Sequence, residues 1–348
     1  MDFASFRILF LATLSFVVAM AWTPLLTHFL YKYKLGKQIR DAVSAPVFSS
    51  LHQKKSGTPT MGGLLVWVTV LAITLFFSSL AMFSDHPWLQ EMDFLSRGET
   101  LLPLGVLVVS AIVGLFDDIF NVLCIGPRGG GLKMRHRLLI YGIIATVGAW
   151  WFYFKLGRDT LHVPFFGDFS IGAWYLPLFA FIIVATAFSV NEIDGLDGLA
   201  GGTLLTAFAA YGGIAFLQGR YDLAAFCGVI IGSLLAFLWF NIFPARFFMG
   251  DTGAMSLGVT LGVMAMLTDT VFLLPIIGLL FVLESLSVIF QIASKKLRGK
   301  KIFLSAPFHH HLEAIGWPEP KIVMRFWVIA GVTAVFGLII ALLDRNLL

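Results

Sequence analysis

Charge is what this chain has least of. Its 24 Lys+Arg and 20 Asp+Glu amount to 13% of 348 residues, about half the share typical of a soluble globular domain. Cysteine is almost absent: Cys124 and Cys227 stand alone, which excludes a disulfide framework and a CxxC metal or redox site, and each reads as a small buried hydrophobe. A small-residue cleavage site after the first apolar run is also lacking, so that run reads as a retained span and not as a signal peptide. In excess are apolar residues, at 58% with 35 Phe and 9 Trp, and mean hydropathy is +0.89. A disordered chain would be poor in aromatics, and a water-soluble fold would expose much of this surface. The composition specifies a polytopic membrane protein.

Stretches free of charge fall near 8–30, 64–83, 101–116, 138–154, 174–190, 199–217, 223–240, 254–268, 271–293 (interrupted by Glu284) and 326–343. Most suit a helix crossing a hydrocarbon core of about 30 Å, the eighth being the shortest. No blocks of about ten residues alternate as barrel strands would. The expectation is an all-α membrane protein of about ten transmembrane helices, forming one domain over residues 1–348. Alternate connections hold 18 and 6 of the Lys+Arg residues, the termini lying with the six. Basic residues mark the cytoplasmic side, so both termini are expected outside. The basic loops then set topology, and nucleic acid needs no part in their explanation.

Acidic residues divide evenly between the two sides, ten to each, but their contexts differ. On the expected inner side, Asp117-Asp118 follow the third apolar run, Asp194 and Asp197 lie between the fifth and sixth, and Asp251 precedes the eighth. Helix capping accounts for any one of them. It accounts poorly for five at one membrane boundary, where adjacent carboxylates repel unless a cation compensates. Carboxylates meeting at such a boundary suit Mg²⁺, which takes oxygen ligands and retains places for substrate phosphates.

The surrounding motifs add ligand-binding features. Lys55 precedes the Gly-rich Gly57-Thr58-Pro59-Thr60-Met61-Gly62-Gly63, whose backbone either approaches phosphate or packs a helix entry. Asn191 opens a stretch ending in Asp194-Gly195-Leu196-Asp197-Gly198; its two Asp would share one face if the sixth helix began there. Asn241 precedes Phe247-Phe248-Met249-Gly250-Asp251, again an acid at a helix entry. His309-His310-His311 sit in the most basic connection. Three consecutive histidines cannot all face one metal, which leaves a solvated loop, phosphate contact or proton handling.

These motifs together resemble the polyprenyl-phosphate N-acetylhexosamine-1-phosphate transferases. GTPTMGG and PFHHH favour the muramoyl-pentapeptide branch over relatives that use UDP-N-acetylglucosamine. The resemblance implies transfer of phospho-MurNAc-pentapeptide from its UDP carrier to undecaprenyl phosphate, yielding lipid I and UMP. It also implies Mg²⁺ dependence, a homodimer and a site on the cytoplasmic face of the bacterial inner membrane. By position, Asp251 would ligate Mg²⁺, Lys55 would meet the diphosphate, and Gly195, Leu196, Asp197, Asn241 and Phe248 would face the uridine. Asp117, Asp118, Asn191 and Asp194 would line the catalytic pocket, with Asp117 as candidate base and His309, His310 and His311 at its rim. The family pattern is broken at Phe188, where a second Asn is usual, and at Glu192-Ile193, where Leu-Thr is usual. Gly126-Pro127-Arg128-Gly129-Gly130-Gly131 replaces a basic loop ending in Lys, so Lys133 and Arg137 compete for its role. The rival from another class is a secondary transporter, which wants charges near the bilayer midplane; Glu284 alone qualifies, and it could equally line a lipid groove or bond a neighbouring helix.

Overall fold

In the computed structural model, the described residues are 3–36, 55, 57–96, 98–126 and 130–344; Pro127–Gly129 of the motifs above lie outside them. Among the described residues ten long helices follow the ten apolar runs. They are α1 (Phe3–Lys32), α2 (Leu64–Phe83), α3 (Leu101–Val122), α4 (Met134–Trp150), α5 (Tyr175–Ile193), α6 (Leu199–Leu217), α7 (Tyr221–Asn241), α8 (Gly250–Leu267), α9 (Leu279–Arg298) and α10 (Glu319–Asp344). Nine are long and apolar enough to span a membrane, and α9 joins them if counted with the Val271–Ile277 segment, from which it bends by 81° at Gly278. The helix runs unbroken through Glu284, and the break in this run lies at Gly278.

Helix α8 is the centre of the bundle. Every residue from Thr252 to Leu267 is buried, as befits a helix apolar all round. It packs against α3 and α5, while α7 binds α1, α6 and α2, and α10 lies on α6. Large apolar side chains on the outside remain exposed, Leu25 at 70% and Val328 at 67% among them, as lipid-facing surfaces require. Satisfying every backbone group within the helices makes this arrangement compatible with hydrocarbon.

Several boundaries differ from the sequence reading in the same direction. Helix α3 runs on through Asp117 and Asp118, and α4 starts early enough to include Arg137. The shortest run becomes the 18-residue α8, which begins at Gly250 and not Ala254. Charged residues at these ends pair with one another inside the bundle, so they extend helices where an unpaired charge would end them. The expectation for Cys124 fails: Cys227 is buried but Cys124 is exposed, in a turn after α3 with φ 56°. Between α4 and α5 lies a hairpin, Thr160–Val163 with Gly167–Ser170, which the hydropathy pattern did not show.

Glycine sets how closely α3 meets α8. A Cβ at Gly114 would sit 2.3 Å from the Asp251 carbonyl oxygen, whereas one at Gly105 in the same helix would meet nothing within 4 Å. Gly114→Ala is predicted to cost about 1–3 kcal/mol through overpacking, read as a lowered unfolding temperature in detergent. Gly105→Ala is predicted to leave it unchanged or raised. Equal effects would contradict the close approach.

Candidate active site

Polar groups gather at two ends of the bundle. At one end Arg7 pairs with Asp222 at 2.9 Å, Arg158 with Asp269 at 2.7 Å, and His162 bridges Asp168 and Asp344 at 2.6 Å each. The residues expected to form the site lie at the other end, at the end of α3, α5 or α7, at the start of α8, or in the segments between helices there.

Arg137, one turn into α4, organises the first group. Its Nη1 and Nη2 donate to Asp251 Oδ1 and Oδ2 at 3.1 and 2.9 Å, a two-pronged contact, and Nη1 also donates to Asn191 Oδ1 at 3.1 Å. Asn191 Nδ2 donates to Asp251 Oδ1 at 2.6 Å. Arg137 Nε lies 2.7 Å from Asp117 Oδ2 without an aligned hydrogen bond, while Asp117 Oδ1 accepts the Leu132 N–H at 2.6 Å. Asp117, Asn191 and Asp251, from three helices, thus share one guanidinium. Tyr141, one turn beyond Arg137 on α4, is buried and its hydroxyl has no hydrogen-bond partner.

Asp118 points elsewhere. It is 2% exposed, accepts the Thr252 N–H at 3.0 Å and is 3.2 Å from the Thr60 hydroxyl that donates to it. That is a carboxylate on the dipole-positive end of α8, supplied by another helix. The two Gly-rich motifs interlock beside it: Phe248 N–H donates to the Pro59 carbonyl at 2.8 Å, and the Gly62 and Gly63 N–H groups donate to the Phe248 and Met249 carbonyls at 2.7 and 2.8 Å. The last two glycines of GTPTMGG, Gly62 and Gly63, are used for close packing; a Cβ at Gly63 would lie 2.3 Å from Gly253 Cα.

Lys55 anchors the second group. Its Nζ is 2.7 Å from Asp197 and 2.5 Å from Glu319, the first residue of α10, and 5.9 Å from the Phe248 ring centroid. Asp197 also accepts the Ala245 N–H at 3.0 Å, and Glu319 accepts the Asp197 N–H at 2.7 Å. Asn241 staples the turn, accepting the Gly198 N–H at 2.9 Å and donating to the Phe247 carbonyl at 2.8 Å. Leu196 is buried within it. Because α6 starts only at Leu199 and Asp194 caps the end of α5, Asp194 and Asp197 do not share a helical face as the spacing suggested.

The three histidines form a short helix, Phe308–Ala314, and do not sit in a solvated loop. His309 is completely buried; its backbone N–H and ring Nδ1 meet the Glu284 carboxylate at 3.2 and 3.0 Å. Placement at the rim of a pocket does not describe it. His310 Nδ1 is 2.7 Å from Glu313, and His311 Nδ1 accepts the Leu304 N–H at 3.3 Å. Burial opposes charge on His309, but the Glu284 carboxylate outweighs it, backed by Glu313 and Glu192, and holds the ring above the ordinary histidine value. Among the described residues no three His, Cys, Asp or Glu side chains form a metal-holding cluster.

Arg137, Glu284 and Glu319 complete these groups, and the sequence did not single them out as site residues. Arg137 stood level with Lys133 in a basic loop, Glu284 looked like an interruption, and Glu319 carried no motif.

A multi-pass helical membrane protein with buried acids drawn onto shared cations at one end is the class that fold and site define. Residues 100–269 match the family model described as glycosyl transferase family 4. The chain is 37% identical, over 97% of its length and 90% of the relative's, to a phospho-N-acetylmuramoyl-pentapeptide-transferase of Chloroflexus aggregans. It is 40% identical, over 94% and 95%, to one of Geobacillus thermodenitrificans. The chain belongs to the phospho-N-acetylmuramoyl-pentapeptide-transferase family. Lys55, Glu284, the histidines and Glu319 lie outside the residues 100–269.

Asp118→Ala is predicted to remove a helix cap at a cost of about 0.5–2 kcal/mol, lowering the unfolding temperature without substrate present. Asp118→Asn, which keeps an acceptor, should retain most of it. An alanine variant as stable as the parent would remove the capping role.

Proposed function

We propose that this chain transfers phospho-MurNAc-pentapeptide from UDP-MurNAc-pentapeptide to undecaprenyl phosphate, releasing UMP and forming lipid I. The supporting observation is the convergence of Asp117, Asn191 and Asp251 on Arg137, in a chain whose relatives of that name align over more than nine-tenths of its length. The charge asymmetry of the connections supports placing this end on the cytoplasmic side of the bacterial inner membrane, with both termini outside.

The donor set fits Mg²⁺. Asp117 and Asp251 are oxygen donors that repel one another and share one guanidinium, so the group carries excess negative charge. Two carboxylates with places left for phosphate oxygens match the usual preference of this ion. Asp251 would hold it, with Asp117 close by, and once bound it would neutralise charge on the diphosphate and polarise the phosphoryl group. Arg137 offers a planar fork matched to phosphate oxygens, and Lys55, held by Asp197 and Glu319, adds a second cation. In the transfer, an oxygen of the lipid phosphate bonds to the sugar-linked phosphorus as the bond to the UMP oxygen breaks. Asp117 accepts the proton if the lipid phosphate arrives protonated. Confinement of that lipid to the membrane plane explains why the acids sit at helix ends.

Purified protein with undecaprenyl phosphate and Mg²⁺ is expected to release UMP from UDP-MurNAc-pentapeptide and not from UDP-N-acetylglucosamine. The reverse preference would move the chain to the neighbouring branch, and no release from either would end the transferase reading. Chelation of the metal should stop turnover and Mg²⁺ restore it. Asp251→Asn should lower turnover by ~10²–10³-fold or more in a protein that still folds; an unchanged rate would take Asp251 out of the chemistry.

A further inference from the structure

Glu284 lies in an apolar helix, fully buried, where an ionisable side chain is costly unless partnered. Its carboxylate accepts from two groups of one residue, the His309 backbone N–H and ring Nδ1. With the carboxylate at Nδ1, that nitrogen carries a proton in either charge state, and Nε2 becomes the ring nitrogen facing away from Glu284. His309 Nε2 is buried and has no hydrogen-bond partner. It faces Gly195, where a Cβ would lie 2.2 Å from it, so only glycine admits the ring beneath the turn that joins Asp194 to Asp197. The His310 ring stands 4.1 Å from that of His309, edge-on, and turns to its own carboxylate, Glu313.

We propose that Glu284 is a positioning residue. It fixes the tautomer and direction of His309 so that Nε2, seated against Gly195, is the ring atom available to a phosphate oxygen brought to the Asn191–Gly198 turn. The proposal rests on the transferase reading only for the identity of that phosphate; the positioning itself is a property of the folded chain. The arrangement joins α9, the 308–314 helix and the α5–α6 turn through a single imidazole. It also gives an acid in the middle of an apolar run a purpose other than ion passage.

The groups that bear on the ring are Glu284 from α9, Glu313 and His310 from its own helix, and Glu192 from α5. Glu284 raises the His309 value, so the imidazolium persists to higher pH than a free histidine. Glu284→Gln keeps the shape and a hydrogen-bond acceptor but removes the charge. The midpoint should then fall, by about 1–3 pH units for an opposite charge at this range.

The test is ¹⁵N-histidine NMR of the full chain in lipid nanodiscs, with His309 assigned from His309→Gln. The parent should show Nδ1 protonated throughout the titration, and Glu284→Gln should lower the His309 midpoint by about 1–3 units. The limb of the kcat–pH profile that follows His309 should move with it. Glu284→Asp should restore the midpoint part of the way. An unmoved midpoint in Glu284→Gln would overturn the proposal. If Glu284→Gln does not fold, Gly195→Ala decides: it leaves Glu284 intact and should displace the ring, changing the His309 signals and lowering kcat at least tenfold. Unchanged signals in that variant would overturn it too. Because NMR needs no turnover, a shifted midpoint in a protein that releases no UMP would support the positioning while removing the transferase reading.

Discussion

An apolar bundle can hold acids at its end only if each finds a counter-charge or hydrogen-bond donors, and for Asp117 and Asp251 Arg137 supplies that condition. Taking a carboxylate out of water costs several kcal/mol, and two carboxylates in proximity cost more. One guanidinium meets this demand for Asp117 and Asp251, with Asn191 as the neutral partner that completes the ring of donors. Lysine, a point donor, could not span Asp251 bidentately while also touching Asp117. The position of Arg137 on α4 therefore ties α3, α5 and α8 into one unit.

The rest of the site builds on the same economy. Helix α8 can begin in the middle of the cluster because Asp118, from α3, caps its first turn, and because the two Gly-rich motifs let backbones touch where side chains would intrude. Lys55 repeats the pattern for Asp197 and Glu319, bringing the entry to α2 against the start of α10. His309 repeats it again for Glu284. Each pairing joins elements far apart in sequence, so charge neutralisation and tertiary assembly are one event at this end of the molecule.

Much of this was legible in the sequence, for definite reasons. Hydropathy placed ten helices because lipid-facing and buried surfaces are both apolar, and charge, Glu284 apart, lay near the ends. The aspartates stood out because acids at a membrane boundary need an explanation. What the sequence hid was pairing. Arg137 reads as one more basic residue in a topogenic loop until α4 is seen to begin before it. Glu319 looks like an ordinary helix-entry acid, yet it closes the Lys55 group from 264 positions away. The apparent i, i+3 face of Asp194 and Asp197 dissolved because Gly198, at φ 80°, starts α6 only afterwards. Cys124 was misjudged because burial depends on where a helix ends, and α3 ends two residues before it.

Arg137 and Asp251 are compensating buried charges whose pairing holds this end together. A double-mutant cycle on unfolding temperature and calorimetric stability, using Arg137→Met, Asp251→Asn and the combination, measures that pairing directly. Each single change should destabilise the chain by leaving a charge unmatched. The combination should then lose less than the sum, with a coupling of about 1–3 kcal/mol. Losses that simply add would contradict that pairing.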